Sequence, residues 1–148
     1  DMELDSSWYN SGSPTTNERS STQAHAGTYS RKYVGNSTGD GLRTSYFSLT
    51  AGATYTVSLW YYLETGSPNQ LIRMQDGDGN NLGTYISAST KDAWTEVTFE
   101  RTATATGSSS EVKIYQNGGG DTTCYIDDWS VKETQVEDLK GSNNGTLA

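Results

Sequence analysis

The chain holds 148 residues with a formal net charge of −8 and a pI near 4.4, a length that bounds it to one domain with at most a short appendage. Only 32% of residues are apolar and 19% charged, while 16 Gly stand beside 10 Tyr and 4 Trp; strand-forming Thr and Tyr with turn-forming Gly and Ser point to an all-β domain. The same arithmetic excludes a helical bundle, an apolar membrane span and nucleic-acid binding through a basic field, and the aromatics exclude the composition of a disordered chain.

The first ten residues are acidic and polar, without the apolar run of a signal peptide, and the chain opens on Asp1, so it reads as a piece of a longer polypeptide. Strands are predicted over 27–34 and 42–49, followed by a turn at 51–53. The strongest strand runs over 54–64: alternation puts Val57, Leu59, Tyr61 and Leu63 on a core face and Ser58, Trp60, Tyr62 and Glu64 on the other. After a loop at 65–69, residues 70–75 form a strand with Ile72 and Met74 inward and Arg73 and Gln75 outward. A turn at 76–81 leads to a short strand at 82–87 and an alternating one at 94–102. A polar turn at 107–110, a strand at 111–116, a glycine run at 118–120 and a strand at 123–132 complete the series. Short strands between turn signals, with no amphipathic helix before residue 133, predict a β-sandwich or barrel. Alternation stops after Lys132, so residues 1–133 form the domain and 134–148 a linker or the start of a following domain.

Reactive chemistry is sparse. Cys124, the lone cysteine, excludes an internal disulfide and reads as a small buried apolar residue. His25, the lone histidine, has no nucleophile near it in sequence, and no G-x-S-x-G elbow, H-E-x-x-H helix or phosphate loop is present. Glu64, Glu96, Glu100 and Glu111 would act as a glycosidase pair only across a cleft, and the chain reads as non-enzymatic. The run DGDGN at 76–80 fails as a calcium loop of the EF-hand type, because Asn81 stands where Gly is required and Ser87 where Glu is required. The sequons at 36–38 and 144–146 carry meaning only in a eukaryotic secretory host.

Four local patterns occur in order: DMEL at 1–4, AHAGTYS at 24–30, LTAGATYTVSLWYY at 49–62, and WTEVTFERTAT at 94–104 followed by YIDDWSV at 125–131. Together they resemble the carbohydrate-binding modules of the β-jelly-roll group, families 4, 9, 16 and 22. Met2 stands where that pattern usually has Phe, and Trp129 where it has Val. The tail string EDLKGSNNGTL resembles the opening of a laminin-G or concanavalin-like lectin domain. The resemblance implies a jelly-roll β-sandwich of two antiparallel sheets with a galactose-binding-like fold, a face or groove for a glycan and a structural calcium at one edge.

Glycan binding needs flat apolar rings for the CH face of a pyranose and planar polar groups for its hydroxyls. Trp60 and Tyr62, about 7 Å apart on one strand face, are candidate platforms. Arg73 and Gln75 are candidate polar partners, and Arg43 reaches the same face from its own strand. Gln116 precedes glycines as in a sugar-contacting F-Q-L-G-G run of family 4, but alternation points it inward, so Tyr115 is carried beside it. Trp8 and Tyr9 read either as platform aromatics or as a plug over one end of the sandwich. Trp94 reads as a core cap, and Trp129 either as a second platform or as core. For calcium, Glu3 and Asp127 match the family carboxylates, and backbone carbonyls around Asp1 and around His25 and Gly27 complete the shell; the His25 imidazole itself reads as structural. The expected function is a non-catalytic module that binds a β-linked polysaccharide or oligosaccharide, a monomer when isolated, tethering the covalently attached domains of a secreted or cell-surface protein. The rival is a structural or adhesive sandwich of a surface or virion protein without sugar affinity.

Overall fold

The structure, a computed structural model, describes residue 3 and residues 8–134. Alternation builds its sheets. In β6 (Thr54–Leu63) every second residue from Tyr55 to Leu63 is buried, and in β7 (Gln70–Gln75) Ile72 and Met74 are fully buried with Arg73 turned outward. β9 (Thr95–Thr102) and β11 (Thr122–Glu133) flank β6. With β2 (Thr16–Ser20) and β3 (Ser30–Gly35) they form an antiparallel sheet in the order β2-β3-β11-β6-β9.

The facing sheet, hereafter the first sheet because it holds β1, runs β1-β4-β10-β7-β8, from β1 (Trp8–Ser11), β4 (Gly41–Thr44), β10 (Gly107–Gln116), β7 and β8 (Ile86–Ala88), and the β2-β3-β11-β6-β9 sheet is the second. β5 (Phe47–Leu49) pairs with the start of β10. All pairings are antiparallel and no helix occurs among the described residues, so the jelly-roll β-sandwich expected from the sequence is the fold. Leu42, Ile72, Met74, Val112 and Ile114 of one sheet pack on Val57, Leu59, Leu63, Cys124 and Ile126 of the other. Each such side chain contributes roughly 1.5–3 kcal/mol by leaving water.

The low apolar content is resolved inside the sandwich. Tyr33, Gln70, Gln116, Thr44 and Ser30 are fully buried beside the aliphatic core. Most of their polar groups are matched, Gln116 Oε1 being the exception: the Tyr33 hydroxyl donates to Gln70 Oε1 across the sheets, Gln70 Nε2 donates to the Pro68 carbonyl at 2.6 Å, and Thr44 Oγ1 accepts the Val112 N–H at 3.1 Å. A satisfied polar group costs little to bury, so hydroxyls and amides replace aliphatic volume.

Four readings need correction. The strand predicted over 82–87 is confined to β8 at Ile86–Ala88, with residues 82–85 outside any strand. The predicted strand 42–49 is two strands, β4 and β5, separated at residues 45 and 46. The predicted turn at 107–110 is the first part of β10, where Ser110 is the inward residue at 1% exposure and a hydroxyl conceals the alternation. β1 and β2, with sequences WYNS and TNERS, carry too few apolar residues to show a period and were not predicted.

Candidate functional site

The outer face of the first sheet gathers aromatic rings around basic groups. One cross-strand row reads Tyr9 (β1), Arg43 (β4), Lys113 (β10) and Arg73 (β7), each directly opposite the next. Tyr9, Tyr46 and Tyr85 are the large apolar side chains most exposed among the described residues, at 51%, 57% and 46%. The guanidinium carbon of Arg43 lies 5.0 Å from the ring centres of both Tyr9 and Tyr46, and that of Arg73 lies 5.0 Å from Tyr115 and 5.9 Å from Tyr85. Each arginine therefore holds two rings by cation–π attraction, with Nη1 of each taken by a neighbour, Glu111 for Arg43 and Asn81 for Arg73.

The neighbours fix these groups in place. Glu111 is buried and its carboxylate is shared by Lys113 at 2.8 Å and Arg43 at 3.4 Å. Asn81 links the far end: its Oδ1 accepts from Arg73 Nη1 at 3.0 Å and Gln75 Nε2 at 3.2 Å, and its Nδ2 donates to the Tyr85 hydroxyl at 2.9 Å. Burial raises the Tyr115 phenol above its ordinary range, against the opposing pull of Arg73, so it stays a neutral hydroxyl at pH 7. Gly41 lies beside Tyr115 in the next row; a Cβ there would sit 2.1 Å from the Ile114 carbonyl oxygen and 2.5 Å from Tyr115 Cα. Only glycine permits this close approach of β4 to β10.

The eight side chains expected to meet sugar are divided among three places. Arg43, Arg73 and Tyr115 share the face just described. Gln75 belongs to it by alternation, but the 76–81 turn covers it, and its amide donates to the Gly79 carbonyl at 2.7 Å, so it supports Asn81 instead of facing outward. Gln116 is fully buried and its Nε2 donates to the Gly118 carbonyl at 2.7 Å and to that of Gly120; alternation, not the family string, placed it correctly. Trp8 is 6% exposed and packs edge-on against Trp129 with ring centres 5.7 Å apart, which makes it the plug and not the platform. Trp129 packs against the core.

Trp60 and Tyr62 lie on the outer face of the second sheet and do not converge with Arg73 and Gln75. Their rings engage their neighbours. Trp60 stacks on His25 at 3.8 Å, and Tyr62 packs against Trp94 at 5.8 Å and Tyr125 at 6.1 Å. Trp94 thus joins an outer cluster instead of capping the core. Burial, reinforced by Glu64, pushes the Tyr125 phenol up to about 12. Sequence reasoning missed Tyr46 and Tyr85 because SYF and GTYIS carry no alternation; each tyrosine sits just before a strand, at a break in pairing that the sequence does not mark.

At one edge, two carboxylates hold the turn before β3. Glu3 Oε1 accepts from Thr28 N–H at 2.7 Å and Tyr29 N–H at 3.0 Å, and Asp127 Oδ2 accepts from His25 N–H at 2.9 Å and Ala26 N–H at 3.2 Å. The Tyr29 and Thr28 N–H groups hold Glu3 below the usual carboxylate range, whereas burial raises Asp127 against its own backbone donors. Gly27 has φ +65°, and a Cβ on it would fall 2.2 Å from Glu3 Oε1, so the glycine makes room for that carboxylate. The His25 ring is engaged elsewhere: Nδ1 pairs with Asp128 at 2.7 Å and the ring stacks on Trp60. Asp1 lies outside the described residues, among which no three His, Cys, Asp or Glu groups come together as a metal cluster.

Comparison with known proteins identifies the family and the fold. A family model described as "Carbohydrate binding domain" matches residues 3–141. No curated protein matches the chain. Among solved structures, the CBM22-1 xylan-binding domain of Paenibacillus barcinonensis Xyn10C superposes with a TM-score of 0.69 at 15% identity, covering 91% of this chain and 92% of that one. The CBM22-1–GH10 modules of Clostridium thermocellum Xyn10B, complexed with xylohexaose, give 0.66 at 19% identity over 86% of this chain and 26% of that one. TmCBM61 in complex with β-1,4-galactotriose gives 0.60 at 18% identity, covering 86% and 88%.

Proposed function

The chain belongs to the carbohydrate binding domain family, and from that premise we propose that it binds a polysaccharide chain, without catalysis, across the outer face of the first sheet. The observation that supports this placement is the set of exposed tyrosines held by Arg43 and Arg73. Rings with open faces accept the CH surface of a sugar, while guanidinium, Asn81 and phenol groups between them meet its hydroxyls. β-Linked chains are the first ligands to try, since the ligands named for the similar structures are xylan, xylohexaose and β-1,4-galactotriose. In a secreted protein such a module would hold an attached domain near its glycan and raise its local concentration.

Affinity electrophoresis through gels containing β-1,4-xylan, mixed-linkage β-glucan or β-1,4-galactan tests the reading. Tyr9→Ala and Tyr85→Ala, exposed enough to leave folding intact, are each expected to weaken the best ligand by roughly three- to tenfold, the equivalent of about 0.5–1.5 kcal/mol per aromatic contact. Unchanged retardation in both variants, with loss in Trp60→Ala, would move the site to the second sheet.

Calcium belongs to the same proposal. Two hard carboxylates on one turn, with a glycine vacating space beside one of them, suit an oxygen-seeking cation. Glu3, Asp127 and backbone carbonyls around His25 and Gly27 would hold it, and its charge would offset the cost of burying Asp127.

A further inference from the structure

The outer face of the first sheet carries a charge pattern that a neutral glycan does not explain. Arg43, Lys113 and Arg73 stand directly opposite one another on three adjacent strands. Like charges facing across strands destabilise a sheet, and this ladder sits in a chain of net charge −8 with only 10 Lys and Arg residues. One carboxylate compensates it, Glu111, which is shared between Lys113 and Arg43. Arg73 makes no ion pair among the described residues; its Nη1 is satisfied by the neutral amide of Asn81, and its buried Nε has no hydrogen-bond partner. The local balance is three cations against one anion, with the unmatched cation beside two tyrosine rings.

We propose that the ligand of this face is an acidic polysaccharide, and that a uronate carboxylate docks on Arg73 between Tyr85 and Tyr115. The inference rests on the glycan-binding reading and names its substrate class. With Nε buried and Nη1 bonded to Asn81, the ligand approaches the outer Nη end of Arg73, where a carboxylate takes the Nη2 donor and matches the charge, which a hydroxyl cannot. The bound anion also relieves the repulsion along the ladder, so the stability sacrificed by three facing cations is recovered in the complex. The overall negative charge of the protein opposes non-specific adsorption to a polyanion, so retention on such a polymer reports this face.

The test uses the whole chain in affinity electrophoresis and calorimetry at two salt concentrations. Glucuronoxylan and polygalacturonate are each compared with their carboxyl-reduced forms, and dextran sulfate is run alongside. At least one uronate polymer is expected to bind about tenfold or more tighter than its reduced form, with the difference shrinking as salt rises. Arg73→Gln is expected to bring that ratio towards one and Arg73→Lys to restore part of it, with melting curves confirming that both variants fold. Equal affinity for native and reduced polymers overturns the acidic-ligand inference and leaves the glycan reading standing. Tighter binding of dextran sulfate than of either uronate overturns the carboxylate assignment. Failure of every native, reduced and neutral polymer to bind, with Tyr9→Ala and Tyr85→Ala silent, overturns the glycan reading itself.

Discussion

Arg73 shows how one side chain can be read partly from sequence. Its outward direction follows from Ile72 and Met74 being core, and the structure bears this out. Its company does not follow: Tyr85 comes from the chain before β8, Tyr115 from β10 and Asn81 from the turn after β7, and only pairing brings them together. Trp60 is the converse case. Its direction was read correctly, but its ring is occupied by His25, a residue far away in sequence. Cys124 behaves as its composition predicts. It is fully buried and burial pushes its thiol well above the ordinary range. Its alkylation by iodoacetamide at pH 8 should be at least about a hundredfold slower in the native protein than in denaturant, because the reactive thiolate forms only on unfolding. Comparable rates measured by mass spectrometry would contradict this burial.

At the scale of elements, the strands that alternate strictly were legible, and those whose inward positions are hydroxyls were not. β7 matches its predicted bounds at 70–75, and β6 and β9 match within one residue. The first part of β10 escaped because Ser110 fills a core position, and β1 because half of WYNS is polar. The contact between β4 and β10 depends on a residue with no side chain. Gly41→Ala forces its Cβ against the Ile114 carbonyl at 2.1 Å, a backbone atom that cannot rotate away. We expect a loss of roughly 1–3 kcal/mol, measured by urea denaturation, together with weaker glycan retention because Arg43 rides on the displaced strand. A stability within error of the native protein would mean that β4 and β10 separate without cost.

At the scale of the whole molecule, residue 3 and β11 are joined through the turn at 25–29, where Glu3 and Asp127 each take two backbone donors. In a sandwich without a disulfide this clasp is a natural place for a stabilising cation. Chelation with EDTA is expected to lower the melting temperature by several degrees and added calcium to restore it, since a ligand at a hundred times its Kd adds about 2.7 kcal/mol. A melting curve indifferent to both treatments would remove calcium from the proposal. Amino-acid sequence alone determined the all-β class, the inward faces of the long strands and the family resemblance, because these depend on local alternation and on short strings that pairing does not alter. Only tertiary structure decided which outward faces lie on the same side of the sandwich. Strand order is non-local: β6 pairs with β9 and β11, and β7 with β8 and β10. That order separates Trp60 and Tyr62 from Arg73 and assembles four tyrosines, two arginines and a lysine into one surface.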